Sequence, residues 1–144
     1  MKKLSENEAL AHGIHTVHHE MDNGELRFRL VSDHGSSYIL THGTADNGWQ
    51  KSHVHFVKNE FYIVEDGVII IALLIENQIK LQRLCRGDLF SVSVGTPHNI
   101  FIGDNAILHT VKFGGGDEDW NEYPLLDRLI AKTDITMILK GEPK

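Results

Sequence analysis

The chain has 144 residues, a formal net charge of −6 and a single cysteine, Cys85. This length suits one domain, residues 1–144, with a single apolar core; one cysteine excludes an internal disulfide, and the acidic balance, with no Lys/Arg-rich run, excludes the electrostatic footprint of a nucleic-acid binder. The longest apolar run, Val68 to Ile75, is far too short to span a bilayer, and no N-terminal stretch joins basic residues to a long apolar core as a signal peptide does, so a cytoplasmic protein without a membrane partner is expected.

Ser5-Glu6-Asn7-Glu8 has the form of a capping box and predicts a short helix from about Glu6 to His12. From Ile14 onward, runs rich in Val, Ile, Phe and Leu alternate with turn signals such as Asp22-Asn23-Gly24, Asp46-Asn47-Gly48, Glu76-Asn77 and Arg86-Gly87-Asp88. Such regular punctuation predicts an all-β sandwich or barrel, with the strands before His42 extending the sheet. Trp49, Gln50 and Lys51 precede the first candidate ligand and rim an entrance. Lys51 is placed to attract a carboxylate or phosphate, although a solvated Lys is the plainer reading.

His53 and His55 lie two apart, and in an extended strand side chains alternate faces, so both imidazoles project from one side. Two residues advance a strand by about 6.6 Å, a gap that two leaning imidazoles close around one cation at metal–nitrogen distances of about 2.0–2.1 Å. Glu60 comes five residues after His55, an odd offset that would turn its carboxylate away in an unbroken strand. The strand must therefore break, and Lys58-Asn59 is the place for it, since Asn tolerates left-handed backbone. Beyond the break Glu60, Tyr62 and Val64 share a face, and Asp66-Gly67 signals a tight hairpin. Tyr62 then points toward the metal cavity, where its hydroxyl binds or orients a ligand; the plainer reading is a core aromatic.

Val68 to Ile75 reads as a buried strand, and Cys85, in another strand-like stretch, as packing rather than as a nucleophile. His98 follows the Gly95-Thr96-Pro97 turn and opens the apolar run Ile100-Phe101-Ile102, so a fourth ligand arrives from a distant strand. His109 lies in a later strand. If Val111 and Phe113 point inward, so does His109, a candidate base or substrate contact; a satisfied core histidine is the plainer alternative. Gly114-Gly115-Gly116 ends the barrel, and Pro124 leads a helix over about 123–132 with apolar spacing.

Three imidazoles and one carboxylate suit one divalent transition ion, whether manganese, iron, nickel, copper, cobalt or zinc, and suit calcium poorly. On these residues the chain resembles the cupin superfamily. That family's first motif reads Gly, five residues, His-x-His, three or four residues, Glu, six residues, Gly; Gly48, His53, His55, Glu60 and Gly67 match it, with four residues in the first gap. The second reads Gly, five residues, Pro-x-Gly, two residues, His, three residues, Asn; Gly87, Gly95 and His98 match, with Ser93 in place of Pro and Ile102 in place of Asn. All four ligand positions are intact. The resemblance implies a small antiparallel jelly-roll barrel over about residues 35–113, holding an ion by His53, His55, Glu60 and His98, with short N- and C-terminal helices outside it. It also implies pairing through the N-terminal strands into a homodimer.

An ion held by four protein groups keeps open positions for water, oxygen or a bidentate substrate. The expectation is a metal-dependent enzyme on a small organic substrate, either a dioxygenase or an isomerase in which His109 or Tyr62 moves the proton. The alternatives are a non-catalytic cupin that binds a small carbohydrate or carboxylate, and a cupin isomerase or epimerase of surface-sugar pathways. The intact ligand set counts against the last, because cupin-like sugar isomerases do not usually need it.

Overall fold

The computed structural model describes residues 1–115 and 118–141. The capping box forms as written: Ser5 Oγ accepts from Glu8 N at 3.2 Å, and Glu8 Oε2 accepts from Ser5 N at 2.8 Å. It starts helix α1 (Glu6–Leu10), which ends two residues before the expected boundary. One sheet contains β1 (Ile14–Glu20), β2 (Leu26–Ser32), β3 (Ser37–His42), β6 (Asn59–Asp66), β9 (Leu89–Val92) and β11 (Ile107–Phe113). The other contains β5 (His53–Val54), β7 (Val68–Ile75), β8 (Gln78–Cys85), β10 (His98–Ile102) and β12 (Asn121–Glu122), with β4 (Gly48–Trp49) pairing on β10.

The orders are β1-β2-β3-β11-β6-β9 and β12-β5-β10-β7-β8, antiparallel throughout the described pairs. The three N-terminal strands extend the first sheet, as expected. The two sheets face each other, so the jelly roll is a flattened sandwich that keeps edge strands β1, β9, β8 and β12 rather than a fully closed wall.

Between the sheets, Ile69, Ile71, Ile100 and Ile102 meet Tyr62, Val64 and Leu108. The run Val68–Ile75 is continuously apolar because β7 is covered on both faces. Ile69 and Ile71 look into the sandwich, whereas Ala72 and Leu74 pack outward on Leu126 and Ile130 of helix α2 (Pro124–Ile130). Each such buried side chain contributes about 1.5–3 kcal/mol. Helix α2 falls inside the expected 123–132 span with Pro124 at its first turn; α3 (Thr136–Lys140), a single turn too short to show a period, was not foreseen. Cys85 is a half-buried residue of β8. No helix among the described residues is long and apolar enough to cross a membrane.

One expected turn is corrected. Asp66-Gly67 does not close a hairpin, because β6 pairs with β9 and β11 while β7 pairs with β8 and β10. A two-residue hairpin of the expected type needs positive φ at both central residues, and here only Gly67 has it, at 78°. The chain instead turns a corner from one sheet to the other, where a Cβ on Gly67 would lie 2.8 Å from Ala106. The hairpin proper is β7–β8, turning at Glu76-Asn77 with φ of 50° and 61°. Of the Gly114-Gly115-Gly116 run, Gly116 lies outside the described residues.

Candidate metal centre

The break between His55 and Glu60 exists: β5 ends at Val54 and β6 begins at Asn59. Loop 56–58 is held there by Asp119, whose carboxylate accepts from the backbone N–H of Phe56, Val57 and Lys58 at 2.8–2.9 Å. Beyond the break Glu60, Tyr62 and Val64 face inward from one sheet, while β5 and β10 place His53 opposite His98 from the other. His53, His55, Glu60 and His98 are 6, 4, 2 and 0% exposed. Their ligand atoms all lie within 4.8 Å of one another.

Each imidazole turns Nδ1 to a backbone carbonyl. His53 Nδ1 lies 2.9 Å from Lys51 O, His98 Nδ1 lies 2.9 Å from Thr96 O, and His55 Nδ1 is bonded to Asp119 O. A carbonyl only accepts, so these partners assign the proton to Nδ1 and leave the Nε2 lone pairs facing the centre. There they meet Glu60 Oε2, at 2.7 Å from His55, 3.1 Å from His98 and 3.6 Å from His53. The Nε2 atoms of His53 and His55 are buried without a hydrogen bond of good geometry. Four acceptors converging in a buried space repel one another unless a cation lies among them, and nitrogen plus carboxylate donors suit a transition ion. The residues therefore fit the group.

The electrostatics agree. Burial lowers the His53 pKa against the pull of Glu60, which favours the neutral form that ligates. Burial acts to raise the Glu60 pKa, but hydrogen bonds from the three imidazoles, which form only where Nε2 carries a proton in place of the ion, and then Lys112 hold it well below the usual carboxylate range. Lys112 is the cross-strand partner of Glu60, with Nζ 3.9 Å from Oε1. Asp119 is held down to about 2: its slight desolvation is outweighed by the three backbone donors and His55.

Tyr62 points inward as expected and lines the cavity, with its hydroxyl donating to Glu60 Oε1 at 2.7 Å, which fixes the carboxylate with Oε2 toward the histidines. Burial, then Glu60, raises its pKa well above the ordinary range. His109 does not face the cavity. Leu108, Thr110 and Lys112 take the inner face of β11, and His109 lies outside between Tyr38 and Glu65, at 2.6 Å from each. Val111 and Phe113, on which the inward expectation depended, share that outer face by strand alternation.

His53 and Glu60 of the centre line a cavity of about 790 Å³, with Trp49, Gln50 and Lys51 in its wall as expected. Other wall groups had no motif to mark them. Arg27 and Arg29 come from β2, Lys112 from β11, and Trp120 stacks on His53 with ring centroids 5.4 Å apart. In Leu26-Arg27-Phe28-Arg29-Leu30, hydropathy alone puts the leucines and Phe28 inside and the arginines outside; the structure does the opposite. Nothing local to Asp119 reveals its reach across to loop 56–58.

No family model and no curated protein sequence matches the chain. Among solved structures it is similar to a deletion mutant of Bacillus subtilis oxalate decarboxylase, with a TM-score of 0.62 and 16% identity over 89% of this chain and 35% of that one. Another structure of that enzyme, from work on its Mn(II) centres, gives 0.59 and 15% over 90% and 35%. Drosophila melanogaster CENP-C bound to CAL1 gives 0.54 and 14% over 68% and 76%. This chain thus spans about a third of the oxalate decarboxylase chains it matches. At these identities the likeness is one of fold: the chain has the cupin fold, and its His-His-Glu-His group is a site for a divalent transition metal.

Proposed function

We propose that this cupin-fold chain is a metal-dependent enzyme acting on a small organic substrate, with dioxygenase chemistry favoured over isomerisation. The carrying observation is the cluster of three Nε2 lone pairs and one carboxylate, two of whose residues, His53 and Glu60, line a cavity large enough for an organic molecule. When bound, the ion polarises a substrate oxygen and, if it is manganese, iron or copper, supplies redox chemistry. The chain's residues do the rest. His53, His55, Glu60 and His98 hold the ion, Tyr62 fixes Glu60, and Trp120 covers the open side of His53.

Isomerisation needs a side chain that moves a proton beside the ion. Neither candidate serves: Tyr62 is bonded to Glu60 and strongly resists deprotonation, and His109 lies on the outer face. The second reading is a non-catalytic cupin that binds a small carbohydrate or carboxylate; a similar fold, CENP-C, is seen bound to another protein, CAL1, so the fold alone does not require catalysis. A surface-sugar isomerase remains disfavoured by the complete ligand set.

The test is oxygen uptake by protein loaded in turn with each candidate ion, supplied with diketone, thiol or phenolic substrates. Oxygen consumed in step with substrate supports the dioxygenase. Turnover without oxygen uptake replaces it with the isomerase, and a retained organic ligand with no turnover replaces both with the binder.

A homodimer belongs to the same proposal. It is supported by Leu26, Phe28 and Leu30, which stand exposed in a row on the outer face of β2.

A further inference from the structure

The cavity has a second polar pole away from the ligands. The alternation of β2 turns Arg27 and Arg29 inward and leaves Leu26, Phe28 and Leu30 exposed. Half-burying two guanidinium groups while three apolar side chains stand exposed opposes the usual partition and favours compensation for the charge.

Arg27 has it: Nε donates to Glu25 Oε1 at 2.6 Å, and Gln50 Nε2 donates to the same oxygen at 3.2 Å, with Glu25 itself buried. Arg29 does not. Among the described residues no carboxylate lies within ion-pair distance of it, and its side chain donates to the neutral Nδ1 of His19 at 2.7 Å. Burial, and then the neighbouring Arg27, lower its pKa against the longer-range pull of Glu25, but a guanidinium stays charged.

Over the whole cavity wall the formal charges balance, Asp22, Glu25, Glu60 and Glu118 against Arg27, Arg29, Lys51 and Lys112, with Asp22 and Glu118 exposed and Glu25 and Glu60 buried. A divalent ion beside Lys112 would tip that balance positive, inside a chain whose own net charge is −6.

The register sets the spacing of the two poles. Arg29, Ile39, Thr110 and Tyr62 form one cross-strand row, so Arg29 stands three strands from the strand that carries Glu60. At about 4.8 Å per strand the backbones are roughly 14 Å apart, a gap that the long Arg29 side chain shortens from one side.

We propose that the cavity selects an organic dicarboxylate, with one carboxylate at the ion beside Lys112 and the second held by Arg29, whose planar fork matches a carboxylate. The inference rests on the metal-dependent reading above and names its substrate class. Oxalate, whose carboxylates are joined directly, is too short to reach both poles.

The test titrates metal-loaded protein with adipate, 6-hydroxyhexanoate and 1,6-hexanediol, which share a carbon skeleton and differ in charge, and with oxalate as the short diacid. Adipate is expected to bind about ten-fold or more tighter than 6-hydroxyhexanoate, with hexanediol weakest. Arg29→Gln should erase the advantage of adipate and leave metal content and 6-hydroxyhexanoate affinity as in the parent, and Arg29→Lys should keep part of it. No binding of adipate, hexanediol equal to adipate, oxalate equal to adipate, or an unchanged ranking in Arg29→Gln overturns the proposal. The ranking in the parent needs no variant to fold. Metal content is measured first: protein that takes up no ion defeats the metal-dependent reading, whereas an occupied centre without charge ranking defeats the dicarboxylate alone.

Discussion

Each ligand histidine is prepared by one backbone carbonyl. Because Nδ1 is engaged by Lys51, Asp119 or Thr96, the Nε2 lone pair is already aimed before an ion arrives. His98→Ala and His53→Ala are expected to lower metal occupancy more than about ten-fold, since losing a ligand costs at least as much as losing a group that orients one. His12→Ala and His34→Ala, outside the cluster, should match the parent by elemental analysis. The low pKa values of His53 and Glu60 also give a pH dependence. A group whose folded pKa is depressed stabilises fully above its unfolded value and loses that contribution as pH falls toward the folded one. For His53 the loss begins near 6.5, and for Glu60 near 4.5. Metal-free protein should therefore show a lower Tm at pH 5.5 than at 7.5, with a smaller drop in His53→Gln; a flat Tm would refute the assignment. The ligand positions were legible among ten histidines because two of them alternate on one strand, a carboxylate follows and a third imidazole follows a Gly-Thr-Pro turn. Arg29 was not, because the face of an alternating strand is chosen by what packs against it, and hydropathy points β2 the wrong way.

At the scale of elements, the segment that returns over the centre matters as much as the strands that build it. Asp119 ties loop 56–58 by three hydrogen bonds while its own carbonyl orients His55. Asp119→Ala is expected to weaken metal binding by about 10–100-fold without unfolding the sheets, measured by competition with a chromophoric chelator. Leu126, fully buried under β7, anchors α2; Leu126→Ala should cost about 2–5 kcal/mol in denaturant unfolding. Glu76 sits at φ 50° in the β7–β8 turn, a conformation Asn tolerates better, so Glu76→Asn should stabilise by up to about 1 kcal/mol. The six strands from Glu60 to Phe113 and the buried run Val68–Ile75 could be read from apolar pattern and punctuation. The corner at Asp66-Gly67 could not, because a turn dipeptide reports local backbone and not which sheet the next strand joins.

For the molecule as a whole, the same sheet has two unlike faces: an inner one carrying cations toward the centre and an outer one exposing Leu26, Phe28 and Leu30. If the outer face pairs with a second copy, sedimentation equilibrium should give twice the 16.3 kDa chain mass, and Phe28→Glu should return it to one chain. The central claim concerns the ion, which His53, Glu60 and His98 of β5, β6 and β10 would hold together with His55, tying the two sheets to each other. Metal content per chain, determined by elemental mass spectrometry on protein loaded and then desalted, tests it most directly. The account predicts about one divalent transition ion in the parent and a near-empty centre in His53→Ala and His98→Ala, whereas equal content in parent and both variants, or none in the parent, would contradict it.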